Sequence, residues 1–409
     1  MSEQRLRELL AGVEVPAAAA AERRGRAVVE AAFAERLAAG APRRSRPARL
    51  PRLAIGVALA TLVAALLLSP AGAAVRDWVG EVFDGGGTGL REIPGGGRLL
   101  VQSEGGPWVV AADGSRRLLG NYEEATWSPH GLFLAVVSGR TLTAVEPNGT
   151  PRWSLTAARP VRGPRWSPSG YEIAYRSGSS LRVTGADNTG DRRIAARVAA
   201  VSPAWSPLRA PQLAYLGADG RLRIAASANG EVLAMAPALP ALAAIEWSEL
   251  DAGYGLLLEV GAAALRVRQT VVGKLAGATI LGPPRRLALP GGAVELRDAA
   301  LSPDGRAVAA LVLVDGPRGA RSAVRLIDTR DGTSHRLYSV AGDGLAELAW
   351  SPDGSHLLVA APRRDEWLFL RRGPHEGRSF DGIAAAFSPG RVANAFPTVE
   401  GWCCREAGG

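Results

Sequence analysis

The side chains able to do chemistry are few and far apart. The 409-residue chain has four histidines, His130, His335, His356 and His375, and two cysteines, Cys403 and Cys404. The histidines show no ligand spacing, and two adjacent cysteines supply neither a disulfide scaffold nor a Cys-based structural zinc site. No Gly-x-Ser-x-Gly elbow, His-Glu-x-x-His pair or Walker loop occurs. Asp328-Thr329-Arg330-Asp331-Gly332 has too few carboxylates for a calcium loop and reads as a hairpin. The expectation is a chain with no catalytic residue, no metal and no cofactor.

The cysteine pair follows Trp402 near the C-terminus. Neighbouring Cα atoms stand about 3.8 Å apart, below the usual disulfide range of roughly 4.4–6.8 Å, so a Cys403–Cys404 bond would be strained. Buried thiols, a vicinal disulfide and a link between chains are all open readings. In an exported location the pair is expected to be oxidised.

Composition points to turns. Glycine (50) and proline (28) make up nearly a fifth of the residues, against a usual share of about 12%. That excess excludes a mainly helical protein, while 47% apolar and 21% charged residues exclude global disorder. Of 48 basic residues only Lys274 is lysine.

The net charge of +9 is unevenly placed. Residues 1–52 carry 11 Arg against 6 acidic residues, and Leu53 to Val75 is 23 residues without a charge. At a rise of about 1.5 Å per residue this run reaches ~34 Å, enough for a ~30 Å hydrocarbon core. Arg43, Arg44, Arg46, Arg49 and Arg52 precede it, so the positive-inside rule keeps residues 1–52 in the cytoplasm and exports the rest. A lead of 52 residues exceeds a whole signal peptide of about 15–30, which favours an uncleaved single-pass anchor. A nucleic-acid binder would want a basic stripe with aromatics, and none appears.

The segments then divide as follows. Residues 1–52 form a cytoplasmic arm with two short helices, the second from Pro16 to about Ala39. Val29, Phe33 and Leu37 recur at i, i+4 and i+8, a narrow stripe fit either for a cytosolic partner or for nothing beyond setting topology. Residues 1–52 hold no His or Cys, which discounts a zinc-bearing anti-sigma domain. Residues 53–75 are the transmembrane helix. Residues 76–97, with Gly85–Gly87 and Gly95–Gly97, read as a flexible tether. Residues 98–390 hold a repeat, and 391–409 form a tail.

The repeat decides the fold. An aromatic or apolar residue followed by Ser-Pro recurs at Trp127, Trp166, Trp205, Leu301, Trp350 and Phe387, with a degenerate copy, Trp247-Ser248-Glu249. The spacings are 39, 39, 42, 54, 49 and 37 residues. A four-stranded propeller blade takes roughly 40–50. Short apolar strands flank each turn, and Asn148-Gly149, Asp219-Gly220, Asn229-Gly230 and Asp331-Gly332 mark further hairpins. Each Trp is expected to pack between neighbouring blades, and His130 replaces the turn Asp.

The strands after residue 98 lack a Ser-Pro strand of their own, and Ile383–Phe387 lacks a blade after it. Pairing the two closes the ring and removes a free sheet edge. The expectation is an all-β, seven-bladed β-propeller, or six blades if residues 251–290 do not form a true one.

Trp350-Ser351-Pro352-Asp353-Gly354 and its companions resemble the WD-repeat-like blades of the TolB-type β-propeller family over about residues 98–390. That resemblance implies a propeller with a binding or scaffolding role and names no partner. Glu146–Trp153 looks like a blade of the pyrroloquinoline-quinone dehydrogenases, but the other blades lack its Trp placement, so no quinone cofactor is expected. The leading expectation is a membrane-anchored, non-enzymatic ring outside the cytoplasmic membrane that binds an envelope protein, peptide or glycan. Its rival is a transmembrane regulator in which the propeller senses a ligand and the Val29–Phe33–Leu37 helix engages a transcription regulator.

Overall fold

The computed structural model describes residues 90–404, apart from 209–210, 252, 273–278, 290–292, 318, 374–376 and 389–394. The arm with Val29, Phe33 and Leu37, and the apolar run 53–75, lie outside the described residues. Among the described residues no helix is long and apolar enough to cross a membrane.

Seven antiparallel sheets form a seven-bladed propeller. Blade 2 shows the plan: Glu124–Trp127, Leu134–Ser138, Thr141–Val145 and Pro151–Thr156 pair in sequence order. Blade 3 starts at Val161–Trp166, blade 4 at Ala204–Trp205, blade 5 at Leu242–Asp251, blade 6 at Ala293–Leu301 and blade 7 at Leu348–Trp350. These first strands are the inner ones, and each meets the inner strands of the two neighbouring blades around the axis.

The Ser-Pro-x-Gly turn works the same way throughout. Ser351 donates its N–H to the His356 carbonyl (2.9 Å), and its Oγ accepts the His356 N–H (2.9 Å). Ser128 with Phe133, Ser167 with Glu172 and Ser302 with Ala307 repeat the pair. Pro352 presets φ for the bend and Gly354 takes φ +68°, open to glycine without a Cβ penalty.

Blade 5 shows what the missing proline does. With Glu249 in its place the strand keeps its N–H groups and runs on to Asp251, pairing Glu249 with Gly255 and Asp251 with Tyr254. Strands Tyr254–Gly261 and Ala264–Val272 follow, and Thr279–Leu281 and Arg285–Leu287 both pair with the latter. The stretched region is therefore a true, enlarged blade, and the count is seven. At its centre the fully buried Glu259 binds Arg266 and Arg268 and accepts the Leu239 N–H (3.0 Å).

Closure occurs as a composite blade but through a different strand from the one expected. Thr398–Cys403 is the inner strand of blade 1, paired with Arg98–Ser103, and Gly106–Val110 and Arg116–Leu118 complete the sheet. The ring thus extends past residue 390 into the segment read as a tail. Ile383–Ala386 is a single helical turn. Three consecutive alanines favour helix over strand, and Asp365 Oδ1 accepts the Ala384 N–H (2.6 Å) at its start. The supposed tether also tightens before residue 97. Leu90 and Ile93 are buried in the core, and Ile93 donates to the Ala112 carbonyl (2.8 Å).

Seven core clusters correspond to the seven blade interfaces, and each contains one residue of the repeat. Trp127 packs with Leu100 and Val109 of blade 1, Trp166 with Val137 and Leu142 of blade 2, and Trp205 with Leu181 of blade 3. Trp247, Leu301 and Trp350 do the same against blades 4, 5 and 6. Phe387 fills the interface of blades 7 and 1, 5.3 Å from Trp367 and 5.8 Å from Trp108 by ring centroids. Packing, rather than ligand stacking, occupies the repeat aromatics.

Candidate functional site

Side-chain alternation along the inner strands builds the site. With Trp127, Trp166 or Trp350 turned into a blade interface, the residues one and three positions earlier share the opposite face, toward the axis. Glu124, Asp298 and Glu347 stand three before Trp127, Leu301 and Trp350, while Arg165 and Glu246 stand one before Trp166 and Trp247. Glu400 joins them from the closing strand, where a register shift sets it out of the ladder. Charged groups from blades 1, 2, 3, 5, 6 and 7 thus gather around one axis. Arg165 feels Glu400, Glu124 and Glu246 together, although these lie in three other blades.

Four of the carboxylates also tie blade to blade. Glu124 Oε2 accepts the Gly163 N–H (2.6 Å), Glu246 Oε2 that of Leu301 (2.6 Å), Asp298 Oδ2 that of Leu348 (2.8 Å) and Glu347 Oε2 that of Val399 (2.9 Å). The last bond holds the closing strand. These groups lie deep among protein atoms yet keep solvent-accessible surface, as the wall of a wet channel does.

Desolvation dominates the titration of Glu246, Asp298, Glu347 and Glu400. It pushes Glu246 up to about 7 against the Leu301 N–H, with help from Asp298. Glu347 also rises to about 7, by desolvation against the Val399 N–H, with Asp298 and Glu400 adding to it. Asp298 and Glu400 are raised for the same first reason. Burial lowers Arg165, while Glu400, Glu124 and Glu246 oppose that shift. The arrangement can hold protons near neutral pH and attract cations. Among the described residues no three acidic, His or Cys side chains are grouped to hold a metal ion.

The sequence-singled residues lie elsewhere. Cys403 and Cys404 form a vicinal disulfide at the end of the closing strand, against the Ser128–Gly131 turn. His130 is exposed in that turn, and His335 and His356 belong to different strands. His375 lies outside the described residues. Asp328–Gly332 is a hairpin, with Asp331 Oδ1 accepting the Thr333 N–H (2.8 Å). The axial ring was missed, although three of its carboxylates share one offset from the repeat. A second surface feature is an apolar groove of about 440 Å³, lined by Val201, Leu216, Leu239, Pro240 and Leu242 among others.

No family model matches the chain, and no curated protein matches it. Among solved structures, the hydrazine synthase of Kuenenia stuttgartiensis is similar over 60% of this chain and 75% of that one, at 15% identity and a TM-score of 0.45. The seven sheets traced above, and not this likeness, establish the propeller.

Proposed function

We propose that this chain is a single-pass membrane protein, anchored by residues 53–75, that carries a non-enzymatic binding propeller of the TolB-like kind outside the cytoplasmic membrane. The ring docks an envelope protein or peptide through its axial face, and the docking segment is basic. The observation that supports this is the set of charged side chains from six blades that converge on the axis and keep contact with solvent. Five carboxylates outnumber the single Arg165 among them, so a lysine- or arginine-bearing segment meets complementary charge there.

Binding of labelled basic, neutral and acidic peptides to the full-length protein in detergent micelles tests the reading. Basic peptides should bind more tightly at pH 8 than at pH 5.5, where Glu246 and Glu347 are protonated. Equal binding across peptide charge and pH would remove the axis from consideration. Crosslinking in intact cells, with and without residues 1–39, tests the anchoring and the arm. A cytosolic partner captured only by the full chain would replace this reading with the signalling one.

A further inference from the structure

The chain's two cysteines lie where the ring is sealed. Thr398–Cys403 supplies the inner strand of blade 1, and Cys403 sits in the core with Leu100, Val109, Trp127 and Leu134. Cys404 turns back at once with φ +50°, a left-handed conformation that L-residues seldom adopt because Cβ crowds the following carbonyl oxygen. The same corner binds the closing strand's partner to blade 2. Arg98 donates from Nη2 to the Gly131 carbonyl (2.7 Å), and its guanidinium lies over the Trp127 ring at 4.8 Å.

We propose that Cys403–Cys404 is a reversible thiol–disulfide site that sets how tightly the ring is closed, with a small dithiol or a dithiol protein as its reductant. Cys404 is the half-buried member and Cys403 the buried one, so exchange begins at Cys404 Sγ. A thiolate of the dithiol attacks that sulfur, the S–S bond breaks, and the Cys403 thiolate leaves and takes up a proton. The second thiol of the dithiol then attacks the mixed disulfide and releases the Cys404 thiol. Two electrons pass from the dithiol, which becomes a disulfide; a disulfide-bearing oxidant runs the sequence in reverse.

Both redox states fit the corner. Cys403 Sγ lies 3.6 Å from the Ser128 carbonyl oxygen and Cys404 Sγ 3.4 Å from that of Pro129. In the reduced form each new S–H therefore has an acceptor ready, and no buried donor is stranded. What reduction removes is the covalent ring that holds Cys404 at positive φ. Residue 404 then relaxes toward ordinary backbone, and the end of the closing strand loses its fixed seat on the Ser128–Gly131 turn.

The test is amide hydrogen exchange and thiol counting on the full-length protein in detergent micelles, oxidised and after dithiothreitol. Oxidised protein should show no alkylatable thiol and run as a single chain on non-reducing electrophoresis, and reduced protein should show two thiols. Reduction should speed exchange at 98–103 and 398–404 by about tenfold or more and leave residues 212–216 of blade 4 unchanged. The double variant Cys403→Ser/Cys404→Ser should match the reduced form and ignore dithiothreitol. Two thiols in the untreated protein, a linked dimer, or equal exchange in the two states would each overturn the proposal. If the variant fails to fold, the wild-type comparison decides alone.

Discussion

Replacing Glu347 with glutamine should stabilise the protein at pH 8, with the gain shrinking as pH falls toward 4.5. The Glu347 carboxyl is held at about 7, against an ordinary value of 4.5, by desolvation acting against one backbone donor, Val399 N–H. The folded state therefore keeps a proton that the unfolded chain has already released. Between about 4.5 and 7 the folded state binds more protons, so stability must fall as pH rises through that window. At about 1.4 kcal/mol per tenfold change in proton affinity, full burial would make the cost about 3 kcal/mol above pH 7. Solvent contact along the channel screens part of it, leaving about 1–2 kcal/mol to be recovered by the substitution, because a glutamine amide oxygen can still accept the Val399 N–H. Denaturant unfolding of purified protein at pH 5, 6, 7 and 8 reads the difference directly. A glutamine variant less stable than wild type at pH 8 would refute the reasoning, since it would mean that the ionised carboxylate contributes net stability.

Other outcomes follow from the packing. Glu259→Gln should cost about 3–5 kcal/mol in the same assay, because it leaves Arg266 and Arg268 without their buried counter-charge; a loss under about 1 kcal/mol would count against that role. Trp350→Ala, at the interface of blades 6 and 7, should cost about 3–5 kcal/mol, whereas Tyr171→Ala, 78% exposed, should stay within about 0.5 kcal/mol. A chain ending at residue 397 lacks the inner strand of blade 1 and should lose cooperative unfolding, seen as a broad melt by circular dichroism; a sharp melt would show that the ring closes without it.

Much of the fold was legible because its signals are local. A Ser-Pro-x-Gly turn carries its own hydrogen bonds within six residues, as Ser351 and His356 show, so each copy in the chain announces one blade edge. The aromatic before it needs only a buried neighbour, which the next blade supplies at a nearly constant spacing. From these alone the sequence determined an all-β ring of repeated four-stranded units that must close on itself to hide an edge.

Tertiary structure decided the rest, since the deciding contacts join residues far apart in the chain. Trp402 Nε1–H, on the closing strand Thr398–Cys403, reaches the Gly96 carbonyl (2.8 Å) across 306 positions, a contact that no local window of the sequence reveals. Helix propensity in the alanines at 384–386 and the core position of Phe387 settle the choice of closing strand only once blades 1 and 7 meet. The axial ring has the same origin. Glu124, Glu246, Asp298, Glu347 and Glu400 are separated along the chain and become one electrostatic unit because seven inner strands share an axis. The desolvation that raises Glu246 and Glu347 to about 7, and raises Asp298 and Glu400 as well, belongs to the closed ring and to no single segment of the sequence.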